Sequence, residues 1–401
     1  MEKYDEYRDS GAEWLNEIPA KWPMLFLSQV VEQVKNKNTT LSEQNLLSLS
    51  YGKIKRKPID TNGGLLPASF DGYNIIEAND IVLRLTDLQN DHTSLRVGLS
   101  TERGIITSAY VTMRPRNQNT AKYLYYVLHT FDIRKGLYGM GSGVRQGLNY
   151  DEIKKIAIPF PSIAEQSAIA AYLDRKVSHI DTLISEARAS IEEYKAWKAS
   201  IIYEAVTKGL DKGVEMKDSG VEWIGKMPKH WLLIMAKHIV NINHGSDPKT
   251  DGDIPVYGSG ASSFRTCGEY KDGPTVLIGR KGATLHIPHY IEGKYWNVDT
   301  AFDVKPIDAQ CALKFYYYLA TCFDYKYYMS QTTLPSMTQS DYNSMLLPIP
   351  ALEEQVQIVD YLDKRTAQLE SLIAEKESLI ADLEAYKKSL IYEVVTGKRK
   401  V

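Results

Sequence analysis

Two long segments of the chain carry apolar residues at alternating steps of four and three positions. In the first segment these positions are Leu173, Val177, Ile180, Ile184, Ala187, Ile191 and Tyr194. In the second they are Leu362, Leu369, Ile373, Ile380, Leu383 and Leu390, with Thr366 and Lys376 as polar interruptions. An average spacing of 3.5 residues is the pattern of a coiled coil. Because one chain carries two such helices, each about 65 Å long, we expect them to form an intramolecular pair.

The two helical segments are copies of one sequence. IPFPSIAEQ to IIYEAVT at 158–207 aligns without gaps to LPIPALEEQ to LIYEVVT at 347–396, with 20 of 50 positions identical. Proline is excluded from a helix interior, so each helix should begin after Pro161 or Pro350. A second repeat precedes each copy, since DSGAEWLNEIPAKW at 9–22 returns as DSGVEWIGKMPKHW at 218–231. The chain therefore alternates repeated framework with inserted tract.

The two inserted tracts, residues 23–157 and 232–346, show little similarity to each other. In the first, NIIEANDIVLRLTDL, SLRVGLS and GIITSAYVTMRP have the β-branched, partly alternating pattern of strands. In the second, DIPVYGSGASSF, GPTVLIGRKGATLHI and YWNVDTAFDV predict strands and turns. Each tract then carries a predicted helix, Lys122–Leu137 or Lys314–Met329, and the two helices align on KYLYY and KFYYY. We therefore expect an α/β (α+β) fold that the two tracts share.

These boundaries predict two globular domains and two helices. The segments are an N-terminal domain at 1–158, a central helix at 159–208, a hinge at 209–217, a C-terminal domain at 218–347 and a C-terminal helix at 348–401. Gly209 and Gly213 mark the polar hinge. Direct repeats give a pseudo-two-fold arrangement only if the helices are antiparallel, because parallel helices would put both domains at one end. The sequence pattern alone leaves the direction of the two helices open, and an antiparallel coiled coil between the domains is what pseudo-two-fold symmetry would require.

Composition indicates an ordinary soluble protein. The 401 residues are 43% apolar and 24% charged, with a net charge of −2. No apolar run approaches the roughly 20 residues of a membrane span, and the acidic start MEKYDEYRDSG lacks the features of a signal peptide. The three cysteines form no C-x-x-C motif, which favours reduced thiols over a metal site or disulfide framework. We therefore expect a cytoplasmic location.

The charge is unevenly distributed between the tracts. Residues 23–157 contain 17 Lys and Arg against 12 Asp and Glu, whereas residues 232–346 contain 10 against 11. Clustered cations favour nucleic-acid binding, because phosphate neutralisation releases counterions. The candidate DNA contacts are Lys53, Lys55, Arg56 and Lys57 in YGKIKRKPID, Arg84 and Arg96 among the predicted strands, Arg145 and Gln146 in GMGSGVRQG, and Arg280 and Lys281 in VLIGRKGAT. The alternative for each is a solvated surface charge.

The sequence offers no catalytic set. It contains no G-x-x-x-x-G-K-[ST] phosphate loop, no glycine-rich signature for S-adenosylmethionine and no Asn-Pro-Pro-aromatic tetrapeptide. Glu152 and Lys154 form an E-x-K tripeptide of a kind that is common by chance. His286 and His289 lack a third metal ligand. We therefore predict that the chain is not an enzyme and binds neither metal nor cofactor itself.

The duplicated Trp phrases, the helix starts IPFPSIAEQ and LPIPALEEQ, and the helix ends IIYEAVTKG and LIYEVVTGK resemble the specificity (S) subunit of type I restriction-modification systems. The resemblance covers essentially the whole chain. It implies that each inserted tract is a target recognition domain reading one half of a bipartite DNA sequence through the major groove. It further implies that two antiparallel helices separate the domains in a pseudo-two-fold arrangement and set the spacer, and that the protein is associated with a prokaryotic nucleoid. It also implies two modification subunits with S-adenosylmethionine and adenine methyltransferase activity, and two restriction subunits with the ATP- and Mg-dependent motor and nuclease.

Two questions stay open at this point. Tyr172, Tyr203, Tyr361 and Tyr392 recur at matching places on the helices, where they either dock modification subunits or stabilise the helix ends. The alternative to a DNA-recognition subunit is a non-enzymatic coiled-coil scaffold whose two domains bind proteins or other ligands. A nuclease or methyltransferase acting alone is disfavoured by the missing motifs.

Overall fold

The computed structural model describes residues 2–59, 69–91, 93, 95–138, 140, 147–260, 262–330 and 334–401. The chain divides into two compact units, residues 1–186 with 379–401 and residues 187–378. Each unit therefore contains part of both long helices. Within the described ranges, no helix is both long and apolar enough to cross a membrane.

The helices and strands follow the chain in this order. In the first unit the strands are β1 (Tyr7–Asp9), β2 (Glu17–Pro19), β3 (Met24–Phe26), β4 (Val31–Gln33), β5 (Leu47–Ser50), β6 (Lys53–Arg56), β7 (Asn74–Ile76), β8 (Ile81–Leu83), β9 (Val97–Leu99), β10 (Gly104–Ile106), β11 (Val111–Pro115) and β12 (Ala157–Pro159). In the second they are β13 (Met216–Asp218), β14 (Lys226–Pro228), β15 (Leu232–Met235), β16 (Val240–His244), β17 (Ile254–Tyr257), β18 (Arg265–Cys267), β19 (Lys271–Asp272), β20 (Thr275–Gly279), β21 (His289–Ile291), β22 (Lys294–Asn297), β23 (Ala301–Pro306) and β24 (Leu346–Ile349). The helices are α1 (Leu27–Val30), α2 (Ala121–Ile133), α3 (Tyr150–Ile153), α4 (Ile163–Lys208), α5 (Leu313–Ala320), α6 (Tyr325–Tyr328), α7 (Gln339–Ser344) and α8 (Leu352–Val395).

Each unit contains a four-stranded antiparallel sheet with the same strand order. The order is β4-β11-β8-β9 in the first unit and β16-β23-β20-β21 in the second. In the first sheet Met113 of β11 pairs with Gln33 of β4 on one side and with Ile81 of β8 on the other. In the second, Val304 of β23 pairs with Ile242 of β16. The prediction that two dissimilar tracts share one α/β fold is confirmed.

The strands outside the common sheet differ between the units. The first unit adds the hairpin β5–β6 and the pair β7–β10, whereas the second adds a four-stranded sheet of order β18-β17-β22-β19. In that added sheet β17 and β22 are parallel. The common sheet is therefore the part of the fold that the two units share, and the added strands are where the two tracts diverge.

One predicted helix is continuous and the other is broken. The helix expected at Lys122–Leu137 is α2, but the single helix expected at Lys314–Met329 is wrong, because α5 ends at Ala320 and α6 begins at Tyr325. Asp324 accepts a hydrogen bond from the backbone N–H of Tyr327 (3.3 Å) and so caps a new helix. An aspartate cap accepts a hydrogen bond from an N–H group of the first helical turn, which in a continuous helix would donate to a backbone carbonyl group of the preceding turn.

Within each unit the two long helices run antiparallel. In the first unit Lys387 of α8 pairs with Asp181 of α4 at 2.7 Å, and the end of α8 lies near the start of α4, since Tyr123 Oη donates to the carbonyl oxygens of both Pro159 (2.9 Å) and Val395 (3.3 Å). In the second unit Lys198 of α4 pairs with Glu370 of α8 at 2.5 Å. The predicted intramolecular helix pair is confirmed.

The heptad positions form the buried seam of this pair. Leu173, Ile180, Ile184, Leu362 and Leu390 are each no more than 6% exposed. The polar interruption at Thr366 is also buried, and its hydroxyl donates to the carbonyl oxygen of Leu362 at 2.7 Å. A threonine can occupy such a position because its helix satisfies the hydroxyl internally.

Candidate nucleic-acid interface

The repeated Trp phrase of each unit is fastened to the start of a long helix. Trp22 is 2% exposed and its Nε1–H donates to Glu165 Oε1 at 3.1 Å; Trp231, fully buried, donates to Glu354 Oε1 at the same distance. Tyr4 Oη donates to the same oxygen of Glu165 at 2.7 Å. The Trp phrase and the Glu-Gln helix start therefore repeat together because they are contacting partners.

In each unit the C-terminal end of the other long helix also contacts the Trp phrase. Tyr203 of α4 donates to the carbonyl oxygen of Ile224 (3.2 Å), and Tyr392 of α8 contacts that of Leu15 (3.5 Å), the equivalent residue in the first copy. The ring of Tyr392 also lies 4.4 Å from the Arg134 guanidinium carbon. Tyr203 and Tyr392 thus have a structural role in the described fold, and their predicted docking role remains a prediction.

The other two predicted docking tyrosines are placed differently. Tyr172 is partly buried against the core of the first unit, with the Arg175 guanidinium carbon 6.0 Å from its ring centre. Tyr361 is 36% exposed on α8. Tyr361 is therefore the most exposed of the four tyrosines.

A matched pair of contacts joins a shorter helix of each unit, α2 or α5, to one of the long helices. Asp174 accepts hydrogen bonds from Lys122 Nζ (2.5 Å) and Tyr126 Oη (2.8 Å) in the first unit. Asp363 accepts from Lys314 Nζ (2.7 Å) and Tyr318 Oη (2.6 Å) in the second. Charge-assisted hydrogen bonds of this kind fix orientation as well as position. They orient each sheet on its helix pair.

Sequence reasoning missed these two aspartates. The signal was present, because Asp174 and Asp363 stand at equivalent places in the repeat, within the shared tripeptide Tyr-Leu-Asp. Their tyrosine and lysine partners are likewise the repeated KYLYY and KFYYY residues.

Two predicted contact arginines occupy the same place in the two domains. Arg84 directly follows β8 and Arg280 directly follows β20, the equivalent strand of the second sheet. The Arg84 side chain is 34% exposed and lies 3.6 Å from Asp91, while that of Arg280 is 29% exposed and lies 3.3 Å from Asp299. A neighbouring carboxylate holds each guanidinium at the surface without burying it, and DNA contact by these two arginines remains a prediction.

A second loop is attached beside each of these arginines. In the first domain the Leu148 N–H donates to the Leu85 carbonyl oxygen at 2.9 Å. In the second the Met337 N–H donates to the Arg280 carbonyl oxygen at 2.9 Å, and Lys281 forms an isolated bridge with Ser336. Lys281 is partly exposed and makes no ion pair within the described ranges. The glycine-rich segment that carries the predicted contacts Arg145 and Gln146 leads into Leu148, but both residues lie outside the described residues.

The basic cluster at 53–57 is exposed, but its members are not equivalent. Lys53, Lys55 and Lys57 are exposed without ion pairs to other described residues. The Arg56 side chain is also 73% exposed, yet it holds Glu102 through Nε (2.8 and 2.9 Å) and Nη2 (2.5 Å). The hydrogen bond from Arg56 lowers the pKa of the Glu102 carboxyl. The three lysines are therefore the uncompensated charges of this cluster.

Arg96 is placed where it cannot contact DNA. Its side chain is fully buried, and its guanidinium donates to backbone carbonyl oxygens and to Tyr138 Oη. The accepting carbonyl groups are those of Arg84 (3.2 Å), Thr86 (2.8 Å), Asp87 (3.1 Å) and Asp91 (2.5 Å). These bonds hold the loop between β8 and β9, so the predicted contact at Arg96 is corrected to a structural role.

The described residues hold no group of three or more His, Cys, Asp or Glu side chains suited to a metal ion. Two ionisable groups on α2 are nevertheless perturbed. Burial lowers the pKa of His129 to about 4, and burial raises the pKa of Asp132 to about 6 although the Arg96 N–H donates to its carboxylate at 2.6 Å. Both side chains are buried in the first unit, at 7% and 2% exposure.

Comparison with known proteins agrees with this architecture. The sequence matches the type I restriction modification DNA specificity domain family at residues 19–193 and 234–380. It is 21% identical over 422 aligned positions to the putative type I restriction enzyme MjaX specificity subunit of Methanocaldococcus jannaschii, covering 96% of both chains. It is 24% identical over 230 positions to the MjaVIII specificity subunit of the same organism, and this match covers 57% of the present chain and about half (51%) of that relative.

Solved structures share the fold. A chain from work on complex assembly and conformational transition of the type I R-M system superimposes with a TM-score of 0.72 at 16% identity, over 95% of this chain and 99% of that one. The HsdS subunit from Thermoanaerobacter tengcongensis gives 0.53 at 15% identity, over 95% and 98%. With two family matches that together span most of its length, on two copies of one sheet, the chain belongs to the type I restriction-modification DNA specificity family.

Proposed function

We propose that the chain is the sequence-specific DNA-recognition subunit of a type I restriction-modification complex, with each inserted domain reading one half of a bipartite target. One observation carries this proposal: two dissimilar domains present an arginine-bearing loop at the same position of the same sheet. Arg84 and Arg280 follow equivalent strands, and each has a second loop hydrogen-bonded beside it. Arginine to guanine is the commonest specific major-groove contact.

On this proposal the long helices fix the number of base pairs between the two half-sites, and they dock the modification subunits. Two modification subunits would supply S-adenosylmethionine and adenine methyltransferase chemistry, and two restriction subunits the ATP- and Mg-dependent motor and nuclease. The chain itself is not an enzyme on this proposal and acts on double-stranded DNA in the cytoplasm. The matched contacts of the domains with Asp174 of α4 and Asp363 of α8 support this proposal, because a constant distance between half-sites requires each domain to be held rigidly on the helices.

The competing function is a coiled-coil scaffold whose domains bind proteins. Affinity for DNA would be measured for the chain in complex with modification subunits, at several salt concentrations. Recognition through phosphate and base contacts predicts that the logarithm of the binding constant falls linearly with the logarithm of salt, by about 0.9 for each neutralised phosphate. Binding that is absent, or that does not change with salt, would favour the scaffold.

Arg280→Gln supplies the variant for this measurement, with Arg188→Gln on α4 as a control that removes the same charge away from the recognition loops. The proposal predicts weaker, less sequence-selective binding for Arg280→Gln alone. Equal losses for the two variants would mean that net charge, rather than the loop, governs binding.

A further inference from the structure

The hairpin β5–β6 of the first domain has two faces of opposite character. Cross-strand pairing places Leu49 opposite Ile54, and Ser48 opposite Lys55, with Ser50 opposite Lys53. Side chains of directly paired residues point to the same side of a hairpin, and successive residues alternate between sides. Leucine and isoleucine therefore share one face, and serine and lysine share the other.

The apolar face rests on the common sheet. Leu47 and Leu49 are 2% and 8% exposed, and they pack with Val82 and Ile106. The approach is close, because a Cβ atom added at Gly98 of β9 would lie 2.5 Å from Leu49 Cδ1. The hairpin is thus a fixed part of the domain. Its turn and Lys53 border a cavity that is also lined by Asp181 of α4 and Lys387 of α8, and the rest of its other face is left outward.

The outward face carries donors and acceptors without internal partners. Ser48 and Ser50 are partly exposed, and Lys53, Lys55 and Lys57 are exposed. Within the described ranges, none of these five side chains is hydrogen-bonded or ion-paired to another residue. Arg56 differs, because it belongs to the opposite face and is held by Glu102. A polar face of three unpaired cations and two hydroxyls has the chemistry of a nucleic-acid-binding surface.

The tip of the hairpin adds an exposed aromatic residue in a strained conformation. Tyr51 has φ +47° and Gly52 has φ +76°, the left-handed pair of a two-residue turn that suits the strand twist. A bulky residue rarely adopts positive φ, and asparagine is the usual residue at this place. Tyr51 is nevertheless 76% exposed. Strain retained at an exposed position suggests a role outside the fold.

We propose that the outward face of β5–β6 is the element with which the first domain enters the DNA major groove. Ser48, Ser50 and Lys55 contact base edges, and Tyr51 contacts bases at the tip. A two-stranded ribbon fits the groove, which is about 12 Å wide, and lysine and serine side chains both contact base edges there. This inference rests on the proposed function, and it assigns base reading to one face of one hairpin.

The test uses the full chain expressed with modification subunits of its system, with adenine methylation mapped across the host genome. Lys55→Ala and Ser48→Ala are expected to relax one or two bases in the half-site read by the first domain, and to weaken binding by about tenfold each. The other half-site stays unchanged. Lys35→Ala is the matched control, since it removes the same exposed charge from the first domain outside the hairpin; its motif should equal that of the wild type.

Tyr51→Asn keeps the proposal testable if another variant misfolds. Asparagine relieves the strain, so the thermal midpoint should be equal or higher while the same half-site relaxes. If the Lys55, Ser48 and Tyr51 variants all methylate the unchanged motif, or if they weaken every sequence alike, the ribbon contacts at most phosphates and the inference is wrong. If the wild-type chain itself supports no bipartite motif, the proposed function fails instead.

Discussion

Replacing Arg96 by methionine tests whether this residue holds the fold or reads DNA. Its guanidinium is fully buried and donates to four backbone carbonyl oxygens and to Tyr138. Methionine has similar length but leaves these acceptors without partners inside the domain. Loss of such a buried charged network costs about 3–5 kcal/mol. In a unit of about 200 residues each kcal/mol lowers the midpoint by about 2–4 °C, so we expect a fall of roughly 6–20 °C.

The assay is thermal unfolding of the full chain followed by circular dichroism, with Arg84→Met as the matched control. Arg84 is partly exposed, so its replacement should change the midpoint by about 2 °C or less while weakening DNA recognition. The reasoning is refuted if Arg96→Met keeps the wild-type midpoint and instead loses recognition of one half-site. That result would return Arg96 to the DNA surface.

Three further predictions concern the frame and the first domain. Glu165→Ala leaves the buried indole N–H of its tryptophan partner without an acceptor and should lower the free energy of unfolding by about 1–3 kcal/mol, whereas Glu165→Gln should restore most of it. Gly397→Ala should lower the free energy of unfolding more than Gly11→Ala, as measured by unfolding in urea. Both glycines have φ +71°, which costs about 1–2 kcal/mol for alanine. Only at Gly397 would the added Cβ also lie 2.4 Å from a proline ring. Between pH 4 and 6.5, Asp132→Asn and His129→Leu should change the pH dependence of unfolding in opposite directions.

The sign of the pH effect follows from the two shifts. The folded-state pKa of Asp132 is raised to about 6, so its contribution to stability is present below pH 4 and is lost as the pH rises towards 6. The folded-state pKa of His129 is lowered to about 4, so its contribution is present above pH 6.5 and is lost as the pH falls towards 4. Unfolding free energies measured across this range should therefore rise more steeply with pH in Asp132→Asn than in the wild type. Parallel curves for both variants would contradict these assignments.

The Glu165 and Gly397 predictions can each be contradicted by a specific result. A Glu165→Gln variant as unstable as Glu165→Ala would mean that the carboxylate charge matters and the hydrogen bond does not. Equal destabilisation by the two glycine substitutions would show that the end of α8 moves to accommodate a methyl group.

The sequence was most informative where the signal is local. Heptad spacing and the paired prolines predicted both long helices, which begin at Ile163 and Leu352, because helix periodicity and proline geometry act over a few residues. The order of strands in the common sheet was not predictable, since it depends on pairings such as β4 with β11 that join residues about 80 positions apart. The repeat could only indicate that two tracts occupy equivalent places.

Charge alone misjudged the contact candidate Arg96, and it could not predict which exposed cations have a carboxylate partner. A cation in a predicted strand region looks the same in sequence whether it is exposed or buried. Arg96 lies inside a ring of carbonyl groups, and Arg56 is occupied by Glu102, which is 46 residues distant in sequence. The break between α5 and α6 was hidden similarly, because Asp324 acts as a cap only in its folded surroundings. The proposal that β5–β6 contacts DNA depends on its cross-strand register, which the sequence does not predict.

The most direct measurement is genome-wide adenine methylation in a host that expresses this chain with modification subunits of its system, before and after residues 23–157 are exchanged for the corresponding tract of a relative. The account predicts a bipartite motif that depends on the chain and changes in one half only, with the other half and the spacer preserved. If the methylated motif is unaffected by the exchange, this chain does not determine the target sequence through two independent recognition domains.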